Sequence, residues 1–282
     1  MKSAVSRVVV TVSVAAALGL TAACGEGDGD GGDGGRDGGT SSTAQAKPEG
    51  PGGGSGGPGG SGGGADEGSP AARRLAASAL AKGDVDGYAV GRKEESAVEA
   101  ASAGAPVKPS VCRPLWDVLA SVTPPKAKAR VSRTVVATSD ADAATTDVQL
   151  FAYADEGAAR QALREVRTAT RANPCGSFRS GGLRFSGVTA LPAPDKGDEA
   201  VAYRMGSREQ QFQRRNTVTV VRKGVTLVSF AASNQYDPES VANDEQSRAE
   251  NPGGPDLPGT AKADDEPTIP TAVVDAQLKK LK

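Results

Sequence analysis

Three cysteines are the residues of this chain best suited to chemistry, and no histidine accompanies them. Without histidine, the Ser-His-Asp and Cys-His constellations of nucleophilic enzymes are excluded. Two thiols far apart in sequence, Cys112 and Cys175, also cannot assemble the usual zinc ligand sets. A Ser-Lys pair or paired carboxylates remain open for catalysis, but no Ser-x-x-Lys motif begins a predicted helix. We therefore expect a protein that is not an enzyme and that holds neither a metal nor another cofactor.

The third cysteine, Cys24, ends a stretch with the layout of a secretory signal. Lys2 and Arg7 precede an uncharged apolar run over residues 8–20, and small residues at 21–23 lead into the cysteine. The apolar run has about 13 residues, whereas a helix needs about 20 to span the hydrocarbon core. The pattern predicts export rather than a permanent transmembrane anchor.

This site resembles the lipobox of bacterial lipoproteins, although Thr21 stands where a leucine is usual and Leu20 lies one place earlier. The resemblance implies that residues 1–23 are a signal peptide and that Cys24 is acylated after their removal. The protein is then a lipid-anchored lipoprotein at the outer face of the cell membrane. The alternative is an ordinary signal peptide whose removal leaves Cys24 free.

Cysteine arithmetic favours the lipid-anchored interpretation. Three cysteines in an exported chain leave one unpaired, and acylation of Cys24 removes the odd one. Cys112 and Cys175 then predict one disulfide in an oxidising compartment. Such a bond closes a loop of about 64 residues and contributes about 4 kcal/mol in the chain-entropy model.

Residues 24–69 are rich in Gly with Asp, Ser and Pro, and they contain almost no side chain that could build a core. We interpret them as a long disordered N-terminal tether. A Gly-rich coil of this length has an end-to-end span of about 35–40 Å. The folded domain can therefore stand away from the bilayer.

The charge balance argues against a nucleic-acid partner. The net charge of the chain is −1, and loss of the two cations in the signal peptide takes it to −3. A chain with this balance has no global attraction to nucleic acid or acidic lipid.

Residues 70–282 have the composition of one globular domain. Apolar periodicity, caps and turn residues predict an α+β fold, with a mainly antiparallel sheet and helices packed on it. Polar composition predicts a mobile loop at about residues 237–266. The predicted helices cover residues 71–82, 112–121, about 156–172 and 271–281. Asp155 is predicted to cap the third, Asn173-Pro174 to end it, and its buried stripe to consist of Ala159, Leu163, Val166 and Thr170. The predicted strands cover residues 85–92, 131–138, 145–153, 183–191, 199–205, 217–221 and 225–231, with a tight turn at Lys223-Gly224 between the last two.

One predicted helix carries four arginines at i, i+4, i+7 and i+11 spacing, namely Arg160, Arg164, Arg167 and Arg171. This spacing places them along one helix face. They are candidates for contact with anionic headgroups or wall polymers. The alternative is a solvated face, since Glu165 lies among them.

The predicted strand at 145–153 is apolar on both sides. Successive strand side chains alternate, so Phe151 and Tyr153 point away from Val148 and Leu150. Both faces of the sheet are therefore expected to be covered. Phe151, Tyr153 and Trp116 are expected in the core, with the lining of a pocket as the alternative for the first two.

Several features resemble the extracellular sensor domain of actinobacterial receptor serine/threonine kinases of the PknH type, which also occurs alone in secreted lipoproteins. The likeness covers roughly residues 70–282. It implies an antiparallel sheet with packed helices and a cleft for an unidentified ligand. That family often has two disulfides, whereas this chain has cysteines for one. The matching features are Cys112 ahead of a short helix, the helix ending at Cys175, Gly197-Asp198-Glu199-Ala200 before a strand, the hairpin at 218–228 and the helix at 273–281.

The sequence thus predicts a non-catalytic ligand-binding or sensing module that is bound to the membrane through its N-terminal lipid. Its partner would be a small molecule, a wall component or an envelope protein. The alternative is an envelope scaffold without a small-molecule ligand, with the acidic segment 237–266 contacting a protein partner.

Overall fold

The computed structural model describes residues 69–95, 97–120, 122–139, 144–253 and 265–281. The predicted signal peptide, Cys24 and all of the predicted tether except Ser69 lie outside the described residues. Among the described residues, no helix is both long and apolar enough to span a membrane.

The described residues form six α-helices, two short 3₁₀ helices and nine strands. The helices are α1 (Pro70–Ala77), α2 (Ala97–Ser102), α3 (Arg113–Leu119), α4 (Glu156–Ala169), α5 (Pro238–Glu250) and α6 (Thr271–Lys280). The strands are β1 (Tyr88–Arg92), β2 (Val107–Lys108), β3 (Ala129–Ala137), β4 (Thr145–Ala152), β5 (Ser177–Ser180), β6 (Leu183–Leu191), β7 (Glu199–Glu209), β8 (Phe212–Lys223) and β9 (Thr226–Tyr236).

All nine strands form a single sheet in the order β1-β3-β4-β9-β8-β7-β6-β5-β2. Every neighbouring pair is antiparallel. The structure therefore confirms the predicted α+β class with an antiparallel sheet and helices packed on it.

Both faces of the sheet carry a hydrophobic core, as the alternation in β4 predicts. Val148 and Leu150 face one core, which includes residues of α1 and α6. Phe151 and Tyr153 face the other core, which includes residues of α3 and α4. The sheet is thus the middle layer of three, and we name its sides the α1–α6 face and the α3–α4 face.

Helix α4 forms where its sequence signals place it. The Asp155 side chain caps its start by accepting a hydrogen bond from the Ala158 N–H at 2.8 Å. Ala159, Leu163 and Val166 recur at helical spacing and are buried against the sheet. The predicted helix and its buried stripe are confirmed.

The predicted disulfide between Cys112 and Cys175 is present, with their Cα atoms 5.4 Å apart. Cys112 directly precedes α3, and Cys175 lies in the short turn after α4. The bond therefore joins the beginning of one helix to the segment that follows the other.

The hairpin between β8 and β9 depends on a glycine. Lys223 pairs with Thr226, which leaves Gly224 and Val225 as the two turn residues. Gly224 has a φ of 57°, in the left-handed region that a side chain disfavours. A tight turn is therefore present as predicted, but its two residues are Gly224 and Val225 rather than Lys223 and Gly224.

The segment predicted as a loop over residues 237–266 contains helix α5, so that prediction is wrong for residues 238–250. Asp237 caps this helix by accepting from the Glu239 N–H at 3.0 Å, and Pro238 occupies its first turn. Few of its residues are apolar, which hid it from a search for hydrophobic periodicity.

Helix α1 ends at Ala77, five residues before its predicted end. Beyond it, the Gln277 side chain accepts a hydrogen bond from the Leu80 N–H and donates one to the Ser78 carbonyl. Because these backbone groups bond to α6, they do not continue the helix. Strands β2 and β5 were not predicted, and β7, β8 and β9 are longer than predicted.

Candidate functional site: the cleft between α3 and α4

A cleft of about 580 Å³ opens between α3 and α4 on the α3–α4 face of the sheet. This volume lies within the range of small-molecule sites, which is roughly 300–1,000 Å³. Its lining residues are Ser110, Val111, Arg113, Pro114, Asp117, Val118, Pro124, Pro125, Tyr153, Gln161, Ala162, Arg164, Glu165, Val166, Thr168, Ala169 and Leu227.

The two helices that form the walls are held in place by covalent and apolar contacts. The disulfide joins the segments next to them. Val118 of α3 and Val166 of α4 are buried in the same core, and Leu227 of β9 lies beneath them. The inner cleft is therefore apolar and anchored to the sheet.

Asp117 is the most unusual polar group in the cleft, because its residue is only 2% exposed. Burial raises its pKa to about 6, while the Arg113 guanidinium acts in the opposite direction. Arg113 donates from Nε to Asp117 Oδ1 at 3.2 Å. The carboxyl group thus changes charge close to neutral pH.

The Tyr153 hydroxyl is a second buried polar group at this site. Within the described part of the chain it has no hydrogen-bond partner. Burial, with the carboxylates of Asp117 and Glu165 nearby, raises the pKa of this phenol above its ordinary range. Tyr153 therefore stays protonated and can donate a hydrogen bond to a bound molecule.

A hydrogen-bonded group of side chains on α4 forms the polar rim. Gln161 donates to Glu165 Oε1 at 2.9 Å and accepts from Arg164 Nε at 3.2 Å. Both Arg164 and Glu165 are exposed. The cleft therefore has an apolar interior and a rim that carries both signs of charge.

A second cavity on the same face is far smaller, about 50 Å³. Lys93 lines it and pairs with Glu99 at 3.0 Å and with Asp147 at 2.9 Å. Burial acts to lower the pKa of Lys93, but the two carboxylates outweigh it and hold that pKa above its ordinary range. Trp116 Nε1 and Asn216 Nδ2 also lie there, without a partner among the described groups. A polar space of this size suits a few water molecules.

The four arginines proposed for anionic contact have different surroundings in the structure. Arg160 and Arg167 pair with Glu199 of β7, at 3.3 and 3.6 Å. Burial acts to raise the pKa of Glu199, but Arg222 and these two arginines outweigh it and hold that pKa below its ordinary range. Arg164 bonds to Gln161 on the cleft rim, and Arg171 is exposed near the end of α4. Contact of these arginines with an anionic surface stays a prediction.

Two of the aromatic predictions are confirmed, and the third has both expected roles. Phe151 and Trp116 are buried in the core, where Trp116 lies 5.5 Å from the Phe185 ring centre. Tyr153 belongs to the same core and also lines the cleft.

Sequence reasoning did not identify Asp117, Arg113 or Gln161 as site residues. A signal for Asp117 existed, because it lies among the apolar residues of a short amphipathic helix. No group of three or more potential metal ligands occurs among the described residues.

No protein-family model matches the chain, and no curated protein matches its sequence. The fold is similar to the crystal structure of the extracellular domain of PknH from Mycobacterium tuberculosis. That match has 11% identity and a TM-score of 0.40, and it covers 74% of this chain and 93% of that domain. An uncharacterised protein from Mycobacterium smegmatis, the Rv0999 ortholog, matches at 12% identity with a TM-score of 0.31, over 52% of this chain and 74% of that one. The function of the cleft is therefore inferred from its own residues.

Proposed function

We propose that this chain is an extracytoplasmic lipoprotein, anchored through Cys24, whose folded domain binds a small molecule in the cleft between α3 and α4 without catalysing a reaction. The observation that carries the proposal is the cleft itself. It combines ligand-sized volume, apolar walls and a few converging polar groups, the combination typical of binding sites.

The lining indicates the chemistry of the ligand. The apolar surfaces of Val118, Val166 and Leu227 suit an apolar body. The Tyr153 hydroxyl supplies one hydrogen bond to an acceptor on that body, and the charged rim suits a polar end that remains in contact with water. We therefore expect an amphipathic molecule with at least one hydrogen-bond acceptor in its apolar part.

Native mass spectrometry of the full chain, purified gently from an exporting host, tests this function. We expect an additional mass in non-denaturing buffer that is released on denaturation. Substitution of Ala162 by Leu, which fills the cleft from α4, is expected to abolish the retained mass. Ala77→Leu, at an exposed position of α1, is the matched control and is expected to retain it.

Two results would contradict binding in the cleft. One is a bare protein mass in non-denaturing buffer that persists after incubation with lipid, sugar and wall-fragment extracts. The other is equal loss of the retained mass in the Ala162→Leu and Ala77→Leu variants. A bare mass together with a captured envelope protein would favour the scaffold alternative.

The anchored, extracytoplasmic part of the proposal has separate support and a separate test. A disulfide between Cys112 and Cys175 is typical of oxidising compartments outside the cytoplasm. The signal layout before Cys24 supports acylation at that residue. Labelled palmitate should enter the wild-type chain but not a Cys24→Ala variant. Equal labelling of both would refute the anchor.

A further inference from the structure

A second large concavity lies at the ends of β6, β7 and β8, and its side chains are mainly basic. Its volume is about 600 Å³. We name it the basic groove and define it by Arg184, Arg204, Arg208, Arg215 and Glu266. Among the described residues that line it, Glu266 is the only carboxylate.

Strand register brings the four arginines together. Arg184 of β6 lies opposite Arg208 of β7, and Arg215 of β8 lies opposite Gly206. Arg204 and Arg208 are four residues apart on β7 and so point to the same side of the sheet. Neighbouring strands lie about 4.8 Å apart, so guanidinium groups on three adjacent strands can reach a common space.

The groove is on the opposite side of the sheet from the cleft. Arg204 lies between Tyr203 and Met205 in sequence, and both of these are buried in the core of the α3–α4 face. Side chains alternate along a strand, so Arg204 projects from the α1–α6 face. A ligand in the groove would not compete with one in the cleft.

Among the described residues that line the groove, arginines outnumber carboxylates. Glu266 lies 3.6 Å from Arg204 and 4.0 Å from Arg215, and Arg215 also lies over the Tyr236 ring. Among the described groups, Arg208 donates to one backbone carbonyl, that of Gln210, at 3.0 Å. Arg184 and Arg208 are directly opposed and exposed. Like charges directly opposite each other destabilise a sheet unless an anion neutralises them.

Arg222 of β8 lies outside the groove and has close carboxylate partners. Arg222, which is largely buried, lies 2.7 Å from Asp198 and 3.2 Å from Glu199. Glu199 also pairs with Arg160 and Arg167. Arg222 therefore has two carboxylate partners, one of which it shares with two arginines of α4.

We propose that the basic groove binds the phosphate groups of an anionic ligand. Guanidinium groups donate parallel pairs of hydrogen bonds to phosphate oxygens. A carboxylate has two oxygens, whereas a phosphate presents more oxygens in a tetrahedron and can accept from three arginines on neighbouring strands at once. Such a group would relieve the repulsion between Arg184 and Arg208.

Binding of fluorescently labelled linear polyphosphate to the full chain in non-ionic detergent tests the proposal. We expect saturable binding that weakens as salt is added, because exposed charges are screened. Arg184→Gln combined with Arg208→Gln should lower the affinity by about tenfold for each arginine removed, the size of a charge-assisted contact. Glu266→Gln should raise the affinity, since it removes the competing carboxylate.

The matched control is Arg74→Gln combined with Lys82→Gln, which removes two exposed cations within and just after α1 instead. This variant should bind polyphosphate as the wild type does. A cooperative thermal unfolding transition shows that each variant is folded. Because Arg184 and Arg208 are exposed, their replacement should leave the fold intact.

Competition distinguishes the possible sources of phosphate. Displacement of the probe by micelles containing phosphatidylglycerol supports the groove and assigns it to lipid headgroups. Displacement by unlabelled soluble polyphosphate, but not by these micelles, supports the groove and assigns it to a soluble or wall-borne phosphate polymer. The proposal is overturned by absence of polyphosphate binding, by equal competition from polyacrylate, or by an equal loss of affinity in the Arg74→Gln, Lys82→Gln control.

Discussion

The cleft between α3 and α4 and the basic groove have nearly equal volumes, about 580 and 600 Å³, but they are built in opposite ways. The cleft is formed where two helices pack over the sheet, and its inner polar groups, Asp117 and Tyr153, are removed from water. The groove is formed by neighbouring strands, and its arginines are mostly exposed. Burial shifts the pKa of Asp117 in the cleft to about 6.

Because of this difference, substitutions in the cleft and in the groove should have different effects on stability and on ligand binding. Changes in the cleft alter buried groups and should therefore change the free energy of unfolding as well as ligand retention. Changes in the groove alter solvated charges and should affect binding alone. Four variants test that contrast, and they are ordered from the largest expected effect on stability to the smallest.

Removal of the disulfide by Cys112→Ser with Cys175→Ser is expected to have the largest effect. The bond joins residues 63 positions apart, so its loss should lower the free energy of unfolding by about 4 kcal/mol. Urea unfolding followed by fluorescence of Trp116, the only tryptophan, measures the change. Retention of the cleft ligand should fall, whereas polyphosphate binding by the folded fraction should persist. Unchanged stability would show that the cleft walls do not depend on the bond.

Replacement of Asp117 by Asn should stabilise the protein at pH 7. Folding raises the pKa of this carboxyl from near 3.8 to about 6, so the folded state binds more protons between these values. The free energy of unfolding contributed by Asp117 therefore falls as pH rises through this window. The variant should lose that dependence and gain about 3 kcal/mol at pH 7.

Urea unfolding at a series of pH values from about 4 to about 7 measures this effect. This range spans the ordinary pKa of the Asp117 carboxyl and its raised pKa in the folded state. The control is Glu266→Gln in the groove, an exposed carboxylate whose removal should change stability at pH 7 by less than about 0.5 kcal/mol. If Asp117→Asn destabilises the protein at pH 7, the ion pair with Arg113 outweighs the cost of burial.

Tyr153→Phe is expected to separate stability from binding within the cleft. Among the described residues the buried hydroxyl has no hydrogen-bond partner, so its removal should raise the free energy of unfolding by about 1 kcal/mol. The same change should weaken ligand retention, because it removes the hydrogen-bond donor. Urea unfolding and native mass spectrometry measure the two quantities. A loss of stability with unchanged ligand retention would show that the hydroxyl stabilises the fold and does not bind the ligand.

Arg184→Gln combined with Arg208→Gln should have the smallest effect on stability, within about 0.5 kcal/mol of the wild type. Both side chains are exposed, and exposed charges contribute little to the free energy of unfolding. A loss above 2 kcal/mol would be incompatible with a solvated binding surface.

Local signals accounted for much of the fold. The bounds of β6 at 183 and 191 were predicted correctly, and α4 was predicted from its cap at Asp155 and its buried stripe. The disulfide followed from counting cysteines. Helix α5 was missed because it has few apolar residues, although Asp237 and Pro238 were local signals for its start.

The sequence predicted the residues of the candidate sites less completely than it predicted the fold. Tyr153 was recognised as a possible pocket residue, but Asp117 was not. The arginines of the basic groove were not identified, whereas the regularly spaced arginines of α4 were. In the structure, two of those regular arginines pair with Glu199, a residue distant in sequence.

The sequence by itself determined the absence of histidine chemistry, the alternating strands with their antiparallel class, and the one pair of cysteines in the folded part. These properties depend on composition and on residues close together in the chain. Only the tertiary structure decided that Asp117 is desolvated between α3 and α4, and that Arg184, Arg208 and Arg215 share one groove. Both outcomes depend on helix packing and strand register, which arise from contacts between residues far apart in sequence.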